Sequence, residues 1–137
     1  MHIIDEFAAR DHFARHLGIE VSEVGPGKAR ASMQIQPFHL NSAGSLHGGA
    51  IFALADAAFA VASNSHGTLA VAINVSISYF KALKTGILHA TAEEISINPK
   101  LATYLISITD ADGTAVALFN GTVYRKKERL EDLVKRV

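Results

Sequence analysis

Between Ala31 and Phe80 the chain carries one formally charged side chain, Asp56. Fifty residues without Lys, Arg or Glu cannot form an ordinary solvated surface. The stretch is therefore expected to be buried, in a core or against a second subunit. The remaining charges sit in the flanks, and overall 13 Lys+Arg balance 13 Asp+Glu. That balance argues against a nucleic-acid binder, which needs a basic face, and leaves little repulsion to keep copies apart. At 137 residues and 49% hydrophobic content the chain is predicted to be one domain with a real core and not a disordered segment. With no cysteine, a disulfide scaffold, a thiolate zinc site and a Cys nucleophile are excluded.

Within the gap, residues 48–63 are mostly Ala, Phe, Ile, Leu and Val. Their length and Ala content predict a helix at 47–64, and an apolar circumference predicts that it is central and buried. Before it, Lys28 to Gln36 alternates, with Ala29, Ala31, Met33 and Ile35 on one face, as a half-buried antiparallel strand does. After it, Leu69–Ala82, Gly86–Ile97, Leu101–Thr109 and Ala115–Arg125 are strand-like and separated by turn residues, which predicts sequential antiparallel pairing. Residues 3–16 are predicted as one N-terminal helix and 126–137 as an amphipathic C-terminal helix, with Leu130, Leu133, Val134 and Val137 on one face. The fold class is α+β, a sheet of five or six strands around one helix. The start has no basic region followed by an apolar run, and Ala50–Ala62 is too short to span a bilayer, so a cytoplasmic protein is expected.

The residues suited to chemistry cluster around the central helix. Gly48 and Gly49 stand at its start, where the first N–H groups have no internal partner and lie at the positive dipole end. Paired glycines either permit close packing or let a carbonyl oxygen approach those N–H groups, which can then stabilise an oxyanion. Asp56, a carboxylate alone among apolar residues, is costly unless hydrogen-bonded or poised as a base. His47 has three readings: base, hydrogen-bond donor, or helix cap. Asn41 can donate its amide to a carbonyl or stabilise its own loop. Other motifs fail on spacing. Gly44-Ser45-Leu46-His47-Gly48 places its Ser second, not third, so it is no nucleophile elbow. The seven histidines are scattered without metal-binding spacing, and no metal site is expected. Lys81, Lys84, Lys100 and Arg125 lie at strand ends, where cations can meet phosphates.

The pattern from Asn41 through His47-Gly48-Gly49 and Leu54-Ala55-Asp56 to Phe59-Ala60 and Asn64 closely resembles the hotdog-fold acyl-CoA thioesterases of the phenylacetic acid degradation type. Ile77-Ser78-Tyr79-Phe80-Lys81 and Asp112-Gly113 through Phe119-Asn120-Gly121 extend the resemblance over roughly residues 15–126. It implies a hotdog fold, residues 1–137 forming a single thioesterase domain, and homodimers joined edge to edge that assemble into a homotetramer. It implies an active site at the dimer interface, Asp56 of one subunit activating water or attacking directly, while Gly48 N–H and Asn41 of the other polarise the thioester carbonyl beside His47. CoA would be part of the substrate, with no separate cofactor. Gly49, Asn74, Ser76, Phe80, Lys81 and Lys100 are the expected substrate contacts, and Ala53, Phe59 and Phe80 the expected acyl-pocket lining. Many relatives carry a Ser or Thr hydroxyl early in the strand after the helix; here that stretch reads Ala70-Val71-Ala72-Ile73-Asn74-Val75-Ser76. A β-hydroxyacyl hydratase or dehydratase using His47 and Asp56, and a non-catalytic acyl-CoA binding module, are the rival readings.

Overall fold

The central helix α3 spans Gly48–Asn64, and only Gly48, Gly49, Phe52, Asp56 and Ala60 escape full burial along it. From Phe52 the three recur every fourth residue, so they form one outward face while the rest packs inward. The His47 side chain caps the start. At the other end the side-chain Oδ1 of Asn64 accepts the Ala70 N–H at 2.9 Å and its Nδ2 donates to the Ala60 carbonyl at 2.8 Å, which steers the chain from helix into strand.

The structure is a computed structural model describing residues 2–135; Arg136 and Val137 of the expected C-terminal helix lie outside the described residues. Six strands, β1 (Glu20–Gly25), β2 (Lys28–Gln34), β3 (Thr68–Tyr79), β4 (Ile87–Ile97), β5 (Leu101–Thr109) and β6 (Ala115–Arg129), form one antiparallel sheet. The order is β1-β2-β4-β5-β6-β3. The sequential pairing that short connections predict holds for β4-β5-β6 and fails only at β3, which does not pair with β4. Helix α3 carries the chain across one face of the sheet from β2 to the far edge, so β3 lies beside β6 and β4 returns to pair with β2. The alternation expected for β2 is present, with Ala29, Ala31 and Met33 buried.

Beneath α3, Phe59 meets Tyr104 and Phe119 with ring centroids 5.9 and 5.4 Å apart. A Cβ at Gly121 would stand 2.6 Å from the Phe59 ring, so only glycine lets that ring lie flat on β6.

Both terminal helices depart from expectation. The N-terminal one is two, α1 (Ile3–Ala9) and α2 (His12–His16), because the Asp11 carboxylate turns back to accept the Ala14 N–H at 3.0 Å and caps a new start. The C-terminal helix α4 is only Leu130–Lys135 in the described residues, since Lys126 to Arg129 continue β6 and Arg129 pairs with Thr68. Ladder pairing with a neighbouring strand overrides the helical pattern of that charged run.

Apart from Ala70, edge strand β3 is not buried in the core, which leaves for it the second half of the expectation, burial against a second subunit. Its free side carries no charged residue, yet Ile73 is 58% and Tyr79 48% exposed. Among the described residues no helix is long and apolar enough to cross a membrane.

Candidate active site

A short loop before α3 is built around His39. Pro37–His39 forms one 3-10 turn, and the buried His39 ring closes it by accepting the Gln36 N–H on Nδ1 at 2.9 Å. Its Nε2 therefore carries the proton, which it donates to the Leu17 carbonyl at 2.8 Å. The His39 carbonyl then receives the His47 N–H at 2.8 Å, so this one residue sets where α3 begins. Between them Asn41 folds the loop on itself. Its Oδ1 accepts the Ala43 and Ser45 N–H groups at 2.9 and 3.1 Å, and Gly44 takes φ +78°, open to glycine at no cost. The side-chain amide of Asn41 is what the loop leaves for a ligand.

At the start of α3, His47 Nδ1 accepts the Gly49 N–H at 2.8 Å. Of the three readings for His47, its Nδ1 takes the cap. Gly49 is consumed in the same bond: its N–H is occupied, and a Cβ there would lie 2.9 Å from His47 Nδ1. The Gly48 N–H makes no hydrogen bond among the described residues and stands at the positive end of a 17-residue helix. On its other side the Tyr79 hydroxyl donates to the Gly48 carbonyl at 3.1 Å.

Asp56 emerges from the outward face of α3, between buried Ala55 and Ala57. Its carboxyl is reached by solvent in the single chain, but the protein around it displaces water enough to push its pKa above the ordinary carboxylate value, and the nearby Asp11 charge pushes it the same way. Eight residues at 1.5 Å each put Asp56 about 12 Å along the axis from Gly48. One chain therefore does not bring its own carboxylate to its own free N–H.

The expected substrate contacts separate. Asn74 and Ser76 are exposed along edge strand β3, and Phe80 follows it, 58% exposed. Lys81 is held by Asp110 at 2.6 Å, which ties the end of β3 to the β5–β6 turn and engages the ammonium inside the chain. Lys100 is exposed in the β4–β5 turn, while β6 pairs residues near that turn with the start of β3, so Lys100 and Gly48 lie at opposite ends of the sheet. Two residues expected in the acyl pocket are elsewhere: Ala53 is buried in α3, and Phe59 is core, sealed against β6. The residues missed are His39 and Tyr79. Pro37 two residues before a lone His hints at the turn, but only tertiary structure reveals its partner Leu17.

The description of the thioesterase superfamily matches residues 43–117. A protein of Archaeoglobus fulgidus, provisionally named an esterase, is 45% identical over 125 residues, covering 90% of this chain and 81% of its own. The acyl-coenzyme A thioesterase PaaI of Escherichia coli is 37% identical over 116 residues, covering 84% and 83%. The solved structure of the E. coli PaaI protein from the phenylacetic acid degradation operon superimposes with a TM-score of 0.88, over 91% of each chain at 34% identity.

Proposed function

The chain belongs to the thioesterase superfamily, and from that premise we propose that it hydrolyses an acyl-CoA thioester, aliphatic or aryl, to the free acid and CoA. The observation that carries this reading is the pairing of chemistries on α3: a free N–H at Gly48 and a solitary, proton-hungry carboxylate at Asp56 on an otherwise apolar helix. The thioester carbonyl oxygen lies against the Gly48 N–H and the Asn41 amide. Asp56 takes a proton from water as its oxygen attacks the carbonyl carbon, and the carbonyl electron pair moves onto oxygen, where the two donors hold it. Collapse of that oxyanion breaks the C–S bond, and the departing CoA sulfur receives the proton from Asp56. Base catalysis of this kind contributes roughly 10²- to 10⁴-fold.

The roughly 12 Å between Asp56 and Gly48 along one helix supports a site shared by two subunits. A second copy pairing along β3 accounts for a long edge that is apolar, uncharged and exposed in the single chain. Two such dimers then join into a tetramer through sheet surface that also lacks charge, where Leu101, Leu118 and Tyr124 are exposed. In this reading Lys100 and Arg125, at the sheet end away from their own Gly48, meet the CoA phosphates of a site completed by the partner.

The test is release of free CoA thiol from acetyl-, hexanoyl-, benzoyl- and phenylacetyl-CoA by the wild-type chain and by Asp56→Asn. Thiol release by the wild type, with kcat lowered about 10²-fold or more in the variant and an unchanged melting curve, is expected. Wild-type turnover retained by Asp56→Asn removes Asp56 from the mechanism.

A further inference from the structure

Helix α3 begins on Gly48-Gly49, a pair with more backbone freedom than any other residues would have there. First-turn N–H groups also lack partners inside a helix. A donor built on such a backbone wanders unless something outside the helix holds it, and oxyanion stabilisation depends on a donor aimed in advance. The structure holds the Gly48–Gly49 peptide unit from both ends. Its N–H, that of Gly49, is taken by His47 Nδ1 at 2.8 Å, and its carbonyl oxygen, that of Gly48, receives the Tyr79 hydroxyl at 3.1 Å. Resting on the thioesterase reading, we propose that Tyr79 is a positioning residue for hydrolysis: it completes a clamp on this peptide, and the clamp aims the Gly48 N–H at the thioester carbonyl oxygen.

The hydroxyl is placed from outside the helix. Tyr79 pairs with Ala117 of β6, the next N–H, of Phe80, donates to the Val116 carbonyl at 2.8 Å, and Lys81 is tied to Asp110 at 2.6 Å. The end of β3 is therefore fixed by β6 and by the β5–β6 turn. On the other side the chain enters α3 equally fixed. The Leu46 N–H donates to the Leu83 carbonyl at 2.7 Å, and the His47 N–H to the His39 carbonyl at 2.8 Å. Between these anchors lies the diglycine peptide, the unit with most freedom to turn, and Tyr79 sits on it.

The fit is reciprocal. A Cβ at Gly48 would lie 3.3 Å from Tyr79 Cζ and 3.4 Å from the hydroxyl oxygen, so the missing side chain is what admits the ring tip to the helix start. Tyr79 contributes little to the core: it is half-exposed and stands outside the buried cluster around α3. An exposed hydrogen bond adds little to folding, because water can replace it. A purely structural role thus leaves this hydroxyl little to do. In the shared site proposed above the partner pairs along β3, whose last residue is Tyr79. The clamp then lies beside the interface, so that assembly and the aim of the donor meet in one side chain.

The experiment removes the hydroxyl alone, with Tyr79→Phe. Thiol release from hexanoyl- and phenylacetyl-CoA reads kcat and KM, and amide order parameters of Gly48 and Gly49 read the clamp without substrate. A lost oxyanion donor costs about 10²- to 10³-fold, and a donor that is present but poorly aimed costs part of that. We expect kcat to fall about ten-fold with KM within about two-fold of wild type, since the loss falls on an interaction made in the transition state, and the melting curve to stay unchanged. The two order parameters should fall from about 0.85, the value of rigid backbone, towards about 0.6. In a Gly48→Pro background the donor is already gone, so Tyr79→Phe should lower kcat less than about two-fold further. The same loss in both backgrounds means that Tyr79 acts on the substrate itself, and overturns the proposal. Unchanged order parameters overturn it whether or not thiol is released, and so does an unchanged kcat in a variant of a wild type that turns over. Lowered order parameters, with no thiol release from any thioester by the wild type, uphold the clamp and overturn the hydrolytic reading.

Discussion

The Tyr79 hydroxyl donates to the carbonyl oxygen of Gly48 at 3.1 Å, and its ring stands 3.3 Å from where a Gly48 Cβ would be. The last residue of the edge strand thus fixes the first residue of the helix, and with it the direction of the one free N–H at that helix start. The strand proposed to recruit the partner subunit also sets the oxyanion donor.

Removing that N–H is the sharpest probe of it. His47 already has φ −63° and ψ 133°, the extended geometry that the residue before a proline requires. Proline is tolerated at the first helical position. Gly48→Pro should therefore keep the helix while deleting the donor, at the cost of a small shift in the Tyr79 ring. We expect kcat to fall about 10²- to 10³-fold with circular dichroism and melting little changed. A kcat within a few-fold of wild type assigns the oxyanion to another donor.

Asp11 tunes the base from a second element. Its charge adds to the desolvation that holds the Asp56 pKa above the usual carboxylate value. Turnover needs the ionised carboxylate, so kcat rises with pH through that pKa. Asp11→Asn removes the charge and keeps an oxygen to cap Ala14, whose N–H Asp11 accepts at 3.0 Å. Asp56 then ionises more readily, and the acid limb of the kcat–pH profile should move to lower pH. An unmoved limb means that a different group titrates there.

His39 joins three segments through one ring and its own carbonyl. His39→Leu fills the space but leaves the Gln36 N–H and the Leu17 carbonyl without their partner. Both bonds are partly buried, each contributes about 0.5–1.5 kcal/mol net, and a loss of about 1–3 kcal/mol in urea unfolding is expected, with a raised KM as the Asn41 loop loosens. A change below about 0.5 kcal/mol would show that water replaces both bonds.

What was legible beforehand follows the range of the forces involved. Helix α3 and the alternation of β2 are local patterns, and the structure reproduces both, with α3 ending at Asn64 as expected. The β4-β5-β6 pairing was legible, but the place of β3 was not, because β2 meets β4 only after α3 and β3 have intervened. Lys126 to Arg129 look like the solvated start of a helix and become strand because Thr68 offers a ladder partner. Asp11 sits inside a helical pattern, and nothing local tells a cap from a passenger. At the site, Gly48 and Asp56 were legible as residue types in an uncharged stretch, whereas the geometry that separates them on one helix was not. Lys81 shows the converse: a cation at a strand end looked free for phosphate until Asp110 appeared 2.6 Å away.

A site assembled from two chains is tested directly by subunit mixing. Asp56→Asn and Gly48→Pro, each inactive alone, are unfolded together, refolded and assayed for thiol release. In randomly re-formed two-fold dimers about half are mixed, and each mixed dimer holds one site with both native residues. The mixture should recover about a quarter of wild-type activity. A mixture that stays as inactive as its components, although mass measurement shows mixed dimers, would mean that Asp56 and Gly48 act within one chain, and would contradict the account.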